Sequence, residues 1–215
     1  MVKVWQFTFN PFQENTYLLA AENGDCAIVD PGCYNQNEWK TLNRAIEENG
    51  LKPTLLLNTH CHIDHVFGNY LVQDKYGLSP MISKNEKPVF DTVSQVAGMY
   101  GLNYTPSKDP IFYEENFIKL GNVEFEILEV PGHSPGHVAF YQNESKLLIS
   151  GDVLFKRSIG RTDLPGGDFN TLIKSIESEI FKLPDETRVL AGHMEETTVG
   201  EEKRFNPFLT GAYQG

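Results

Sequence analysis

The chain of 215 residues is long enough for one domain with a hydrophobic core that needs no disulfide bonds. Its 18 basic and 29 acidic residues give a formal net charge of −11, which argues against nucleic acid or an anionic membrane surface as a partner. A hydrophobic content of 40% excludes a disordered chain, and no apolar run approaches the roughly 18 residues of a membrane span. Three cysteines and a beginning without signal-peptide character predict a protein of the reducing cytoplasm.

Strand-like and helix-like segments alternate along the chain. In order, they predict a strand at 2–9, a strand at 17–29 folded at Asn23-Gly24, a helix at 35–50, a strand at 54–57, a helix at 68–76, a strand at 81–82, a helix at 87–96, strands at 123–130, Val138–Gln142 and 146–150, a helix at 169–180 and a strand at Arg188–Ala191. Asn35 and Glu38 have the spacing of a capping box, and the charged run 201–204 predicts a solvated helix face. No linker divides the chain, so we predict a single α/β domain over 1–215 in which helices cover sheets.

All six histidines lie in three short segments, and each segment directly follows a predicted strand. The segments are T-H-C-H-I-D-H at 59–65, P-G-H-S-P-G-H at 131–137 and A-G-H at 191–193. Loops at strand ends hold functional groups on a rigid scaffold. We therefore predict that the three segments contribute to one site.

The first segment has the spacing of a metal site. In an extended backbone, His60 and His62 point the same way, and Cys61 points to the opposite side, where we expect it to pack without a chemical role. If the chain turns into a helix after this point, Asp64 and His65 reach a second ion beside the first. Imidazole and carboxylate groups are the ligands expected for zinc or another divalent metal.

The remaining ligand candidates each follow a strand and a glycine. They are His133, Asp152 and His193, which come after Gly132, Gly151 and Gly192. The alternative for Asp152 is a turn or helix cap, and the alternative for His193 is a surface histidine. The shared local setting favours ligands in all three places.

These motifs resemble those of a known superfamily. The order H-C-H-I-D-H, P-G-H, G-D and G-H resembles the metallo-β-lactamase superfamily, and S-I-G-R-T-D-L-P-G-G-D with the tail T-T-V-G-E-E-K-R-F-N-P-F is most similar to its small glyoxalase II-like hydrolases. The resemblance runs from V-D-P-G at 29–32 to the tail, and it implies an αβ/βα four-layer sandwich with metals at the sheet edge. Carried over by motif, it implies that His60, His62 and His133 hold one metal ion, that Asp64, His65 and His193 hold a second, and that Asp152 bridges both.

The implied cofactors are two divalent ions, with zinc expected and iron or manganese as alternatives. Two such ions can share a hydroxide that is a strong nucleophile near neutral pH, and Asp64 would orient it. A thioester suits this site because its thiolate leaving group, with a pKa around 8.5, needs little acid assistance. We therefore predict a metal-dependent hydrolase of the glyoxalase II type that acts on an S-acylglutathione or a similar thioester.

Three more residues have candidate roles beside the ligands. Asp30 is expected either to orient a ligand histidine or to form an Asp-Pro-Gly turn. His137 is expected to support the site rather than to bind metal. Arg161 is expected either to bind a small anionic substrate or to pair with Asp163 within its loop.

Alternatives within the superfamily stay open at this stage. A persulfide dioxygenase keeps a similar ligand set with one iron, and a lactonase can have identical ligands. Larger glyoxalase II enzymes add a C-terminal helical domain, for which the 22 residues after His193 leave no room, so we expect none and keep other thiol carriers open. A β-lactamase or a nuclease is less favoured, and the sequence does not indicate the oligomeric state.

Overall fold

The computed structural model describes residues 2–211. The strands are β1 (Lys3–Phe9), β2 (Glu14–Ala20), β3 (Asp25–Val29), β4 (Lys52–Leu57), β5 (Pro80–Ile82), β6 (Ile111–Phe112), β7 (Phe117–Leu120), β8 (Val123–Glu129), β9 (Val138–Gln142), β10 (Leu147–Gly151), β11 (Leu154–Phe155), β12 (Ser158–Ile159), β13 (Arg188–Ala191) and β14 (Thr197–Thr198). The helices are α1 (Gln36–Glu48), α2 (Ile63–Val66), α3 (Asn69–Tyr76), α4 (Lys87–Tyr100), α5 (Phe169–Ser175) and α6 (Val199–Phe205). A 3₁₀ turn (Lys84–Glu86) precedes α4, and a π-helical turn (Ile176–Ile180) follows α5.

Two six-stranded sheets form the centre of the molecule. The first has the order β1-β2-β3-β4-β5-β6, antiparallel from β1 to β3 and parallel from β3 to β6. The second has the order β14-β13-β10-β9-β8-β7 and is antiparallel except for the parallel pair β10 and β13. The short hairpin of β11 and β12 lies outside both sheets.

The sheets pack face to face, and helices cover their outer faces. Because side chains alternate between the faces of a strand, Tyr17 and Leu19 of β2 lie in the core between the sheets, and Leu18 lies in the cluster beneath α1 and α3. On the second sheet, Phe140 faces the same central core, and Leu148 packs in the outer cluster with α5 and α6. These layers are the αβ/βα sandwich that the motifs predicted.

Local structure departs from the predictions where partners distant in sequence decide it. Asn35 caps α1 as expected, but Glu38 accepts hydrogen bonds from the backbone N–H groups of Tyr34 and Asn10 instead of closing the capping box. The short strands β6, β7, β11, β12 and β14 were not predicted, and α4 runs four residues beyond its predicted end.

The tail also corrects the sequence-based expectation. Glu202 was expected on a solvated helix face, but its side chain is fully buried in the structure. It accepts hydrogen bonds from Thr197 Oγ1, Asn206 Nδ2 and the Arg157 backbone N–H. This carboxylate therefore anchors α6 to β14 and to the chain around β12.

None of the helices in residues 2–211 combines the length and the apolar character that a membrane crossing needs.

Candidate metal centre

The loops after four strands meet at one edge of the sandwich. They follow β4 of the first sheet and β8, β10 and β13 of the second sheet. The seven side chains predicted as metal ligands lie on these loops and on α2, which begins within the first of them: His60, His62, Asp64, His65, His133, Asp152 and His193. The structure thus brings together residues that are up to 133 positions apart (193 − 60).

Three histidines form one group of donor atoms, which we call the histidine set. His60, His62 and His133 each offer a ring nitrogen, and these atoms lie within 4.8 Å of one another. Within this set, His62 Nδ1 and His133 Nε2 are 2.8 Å apart. His60 and His62 share one side of the extended segment, and Cys61 between them is fully buried in an apolar cluster, as predicted.

A second group, which we call the mixed set, lies next to the first. It consists of Asp64, His65 and His193, whose donor atoms also lie within 4.8 Å of one another. Asp152 lies between the two sets. Its Oδ1 is 3.4 Å from His65 Nε2, and its Oδ2 is 3.5 Å from His133 Nε2 and 3.4 Å from His193 Nε2.

Hydrogen bonds to the far side of each ring determine which nitrogen faces the centre. The Thr59 hydroxyl donates to Asp30, so its oxygen accepts from His60 Nδ1 at 3.1 Å. His65 Nδ1 donates to Asp30 Oδ2 at 3.1 Å. The Nδ1 atoms of His133 and His193 donate to the backbone oxygens of Arg161 at 2.7 Å and Gln13 at 3.2 Å. In all four rings Nδ1 is thus engaged outside the centre, so Nε2 faces the centre and is the nitrogen that would bind a metal ion.

The donor atoms fit bound divalent metal. His60 Nε2, His65 Nε2 and Asp152 Oδ1 are buried and have no hydrogen-bond partner within the described residues. Buried polar atoms without a partner are costly, and bound divalent cations would satisfy all three. Two ligand atoms at about 2.1 Å from a tetrahedral ion lie roughly 3.4 Å apart, which matches the 3.4–3.5 Å separations around Asp152.

Asp30 is close to two histidines, but its oxygens are already occupied. Oδ1 accepts from the Thr59 backbone N–H at 2.8 Å, and Oδ2 accepts from the Thr59 hydroxyl at 2.6 Å and from His65 Nδ1. The grouping of Asp30 with His60 and His65 is therefore a hydrogen-bond network rather than a third metal site. Of the two sequence-based alternatives, orientation of a ligand histidine matches the observed contacts of Asp30.

His137 lies behind the histidine set. Its ring stacks on the His60 ring with centroids 4.6 Å apart, and its Nε2 accepts the backbone N–H of Asp152 at 3.0 Å. That nitrogen is thus engaged in positioning Asp152. This contact agrees with the supporting role predicted for His137.

Arg161 lines the open side of the centre. Its exposed guanidinium makes two hydrogen bonds of 2.7 Å to Asp163, which is the pairing predicted as the alternative to substrate binding. Its backbone oxygen orients the His133 ring. Contact between the guanidinium and a substrate stays a prediction.

Glu86 is a functional candidate that the sequence did not reveal. It is fully buried, and it accepts hydrogen bonds from the Cys61 backbone N–H at 2.9 Å, the Ser134 hydroxyl at 2.5 Å and the Gly136 backbone N–H at 2.7 Å. One carboxylate thus joins the loop of His60 and His62 to the loop of His133. The surrounding S-K-N-E-K has the composition of an exposed helix start, so no local signal marks it.

Two asparagines near the β1–β2 turn hold the mixed set. Asn10 Nδ2 donates to the backbone oxygen of Asp64 at 3.0 Å. Asn15 Nδ2 donates to the backbone oxygens of Ala191 at 3.1 Å and Met194 at 2.8 Å, on either side of His193. These contacts span 54 to 179 residues of chain and have no signature in the local sequence.

Two of the three glycines that precede the late ligands permit close approach of the ligand loops, and the third, Gly132, lies against Leu172 of α5. Gly151 has φ +51°, and a Cβ there would lie 2.5 Å from Thr59 Oγ1. A Cβ on Gly192 would collide with Asp152 Oδ1. The glycines before Asp152 and His193 therefore reflect packing of one ligand loop against another.

The charges of the centre favour a cation. Burial raises the pKa of Asp152, but His65 and His193 outweigh it and hold that pKa well below its ordinary value. Burial lowers the pKa of His193, and hydrogen bonds with Asp152 and Asp64 raise it to about 9. Burial lowers the pKa of His60 well below its usual range, so this ring stays neutral. Without metal, the centre thus combines ionised carboxylates and a neutral His60 with a protonated His193, and, against the effect of burial, the carboxylates also raise the pKa of His65 well above its ordinary value. A bound cation would take the place of the proton on such a ring, because histidine binds metal in its neutral form.

Comparisons with known proteins agree with this centre. A family model described as the metallo-beta-lactamase superfamily matches residues 9–193. Hydroxyacylglutathione hydrolase GloC of Haemophilus influenzae is 40% identical over 203 residues, which cover 92% of this chain and 93% of that protein.

Two solved structures share the fold over nearly the whole chain. TTHA1623 in a di-iron-bound form is 37% identical with a TM-score of 0.86, covering 95% of this chain and 100% of that one. The BLEG-1 B3 metallo-beta-lactamase is 34% identical with a TM-score of 0.87, covering 97% and 100%. The sequence match and the clustered donor atoms identify a metallo-hydrolase that binds divalent metal. The chain belongs to the metallo-β-lactamase superfamily.

Proposed function

We propose that the protein is a two-metal thioester hydrolase of the glyoxalase II type. The observation that carries the proposal is the position of Asp152, whose two oxygens face different histidines. A carboxylate shared in this way suits a pair of ions better than one. The histidine set would hold the first ion and the mixed set the second, with zinc as the proposed metal.

Metal ions bound here would supply a hydroxide near neutral pH and stabilise the negative charge that develops on the substrate carbonyl oxygen. Asp64 is half-buried and lines the cleft above the centre, where its carboxylate can accept a hydrogen bond from the attacking water and aim it at the acyl carbon. Asp30 holds Thr59 and His65 in place through hydrogen bonds. The backbone oxygen of Arg161 does the same for His133. These contacts keep the ligand rings from turning. The main contribution of these side chains to catalysis is therefore to orient the metal ligands and the attacking water.

The residues of the cleft favour a substrate with a good leaving group. Among the described residues that line it, the carboxyl groups are Asp64 and Asp152, and both belong to the metal centre. A thioester needs no separate acid: the water oxygen bonds to the acyl carbon, the C–S bond breaks, and the electron pair leaves on sulfur as a thiolate of pKa around 8.5. The products are a carboxylate and a thiol, and no oxidant is consumed.

The names of the relatives support a thioester substrate to different degrees. GloC is named as a hydroxyacylglutathione hydrolase, which is a thioester hydrolase, and BLEG-1 is named as a β-lactamase. Hydrolysis of both substrate types needs the same kind of attack on a carbonyl carbon. The thiolate leaving group suits the absence of a free acid in the described lining, so we favour the thioester.

A panel of substrates tests the proposal. Metal-loaded protein is assayed with a hydroxyacylglutathione, a lactone, a β-lactam and, with an oxygen electrode, glutathione persulfide. We expect the highest kcat/KM for the thioester and no oxygen uptake. Oxygen uptake without thioester hydrolysis would establish the persulfide dioxygenase instead, and a preference for the lactone or the β-lactam would assign those activities.

A further inference from the structure

Exposed apolar side chains are concentrated at the mouth of the metal centre. Nine large hydrophobic side chains are exposed within residues 2–211, and four of them line one cleft: Phe12, Met99, Tyr100 and Met194. Clustering of exposed apolar surface at one place is typical of a binding site rather than of random exposure.

The cleft opens directly on the metal ligands. It has a volume of about 1310 Å³, and donor residues from both sets and Asp152 form part of its wall. The apolar wall begins beside those donors, because the Phe155 ring lies edge-on to the His193 ring with centroids 6.1 Å apart. A substrate whose carbonyl lies at the centre therefore has an apolar surface next to it.

One side of the cleft is formed by α4. The lining residues Val89, Val96 and Met99 follow helical spacing and form a stripe that is apolar except for Thr92. Met99 is 78% exposed, so its thioether is free to contact a ligand. Phe12, which is 41% exposed, lies in the same lining on the loop between β1 and β2.

The same cleft offers few charged side chains that could bind a substrate. Among the described lining residues, Arg161 is the one charged side chain other than the carboxylates and histidines of the metal centre. Its guanidinium is already paired with Asp163. Thus apolar contact, more than ion pairing, is available for binding the substrate.

We infer that the substrate is a thioester with an extended apolar acyl group, which lies along the wall formed by α4 and Phe12. This inference rests on the proposed thioester hydrolysis and specifies its substrate class. Each acyl methylene that leaves water for this wall strengthens binding. A short hydroxyacyl group would leave most of the wall in water.

A series of acyl chains on one neutral thiol tests the inference. N-acetylcysteamine thioesters of lactate, butanoate, hexanoate and octanoate are used below their aggregation limits with metal-loaded protein. We expect kcat/KM to rise roughly tenfold from butanoyl to octanoyl, about what four partly buried methylenes provide. A flat or falling series, with hydrolysis still present, would overturn the inference and leave the proposed function intact. Hydrolysis of no member would count against the proposed function itself.

Charged substitutions with matched controls test whether the apolar wall causes the dependence of kcat/KM on acyl-chain length. Met99→Glu and Phe12→Glu should reduce the octanoyl-to-butanoyl ratio by at least about fivefold, because both bring charge to the proposed acyl wall. The controls are Gln95→Glu on the same helix and Phe117→Glu, since Gln95 and Phe117 lie outside the cleft lining and Phe117 is 41% exposed, as Phe12 is. Both control variants should keep the ratio of the parent protein. Size-exclusion chromatography accompanies each assay. If the wall variants alter the oligomeric state and leave the ratio unchanged, the wall is a contact between copies and the inference is wrong.

Discussion

At the scale of single residues, Asp152 lies between the histidine set and the mixed set. Its backbone N–H is held by His137, and its side chain faces His65, His133 and His193. The G-D dipeptide at the end of an apolar run was a local signal for this residue. Its spatial partners depend on how two sheets bring four loops together.

Removal of the Asp152 carboxylate should separate the two donor sets. We expect Asp152→Ala to bind at most one metal ion tightly and to lose more than about 100-fold in kcat/KM. Mutation of a residue that only hydrogen-bonds to a metal ligand already lowers metal affinity or activity by about 10–100-fold. Metal content by elemental analysis and thioester hydrolysis measure the effect. Asp74→Ala, on the exposed surface of α3, is the control. A fully loaded and fully active Asp152→Ala protein would contradict the bridging position.

The Asp30 carboxylate gives a finer test of ring orientation. Asp30→Asn keeps an oxygen for the Thr59 backbone N–H, but its amide nitrogen is a donor and accepts neither the Thr59 hydroxyl nor His65 Nδ1. We expect metal affinity to fall by about 10–100-fold. Chelator competition measures the affinity, and kcat should largely recover when metal is in excess. Unchanged affinity would show that Asp30 forms the turn without orienting His65.

At the scale of elements, Glu86 links the turn before α4 to two ligand loops. Glu86→Gln has one acceptor oxygen for donors on both sides of the carboxylate, so at least one buried N–H or O–H loses its partner. We expect a loss of about 1–3 kcal/mol in the free energy of unfolding, measured with urea. The visible spectrum of the cobalt-substituted protein should also change, because the histidine set is displaced.

The control for Glu86 is an exposed glutamate. Glu114→Gln should leave both the stability and the cobalt spectrum unchanged, since this residue lies on the surface. If Glu86→Gln lowers stability but leaves the cobalt spectrum and metal affinity as in the parent, Glu86 stabilises the fold without positioning the ligands.

The elements themselves differ in how well the sequence predicts them. Long periodic segments such as α1 and β8 were found within a few residues, because their apolar spacing is a local property. Strands of two residues such as β6 and β14 have no period to detect and exist because a neighbouring strand offers hydrogen bonds. Glu86, Asn10 and Asn15 escaped notice for the same reason: their partners are decided by the tertiary fold.

At the scale of the whole molecule, metal ions would connect the two sheets. The histidine set takes His60 and His62 from the end of the first sheet and His133 from the second, and the mixed set adds His193 from the second sheet to residues of the first. We therefore expect removal of metal to lower the melting temperature by roughly 10 °C, since a ligand at about a thousand times its Kd contributes about 4 kcal/mol.

Calorimetry before and after chelation checks this effect, and added zinc should restore the original melting temperature. An unchanged melting temperature in protein shown by elemental analysis to be metal-free would mean that the loops hold their arrangement without the ions.

The proposed chemistry requires two metal ions that act together in hydrolysing a thioester. Its most direct test is thioester hydrolysis followed while metal is added stepwise to metal-free protein. We predict activity that reaches its plateau at two equivalents of metal per chain, with no oxygen consumed. A plateau at one equivalent of iron, with persulfide-dependent oxygen uptake and no hydrolysis, would show a mononuclear dioxygenase in place of the two-metal hydrolase.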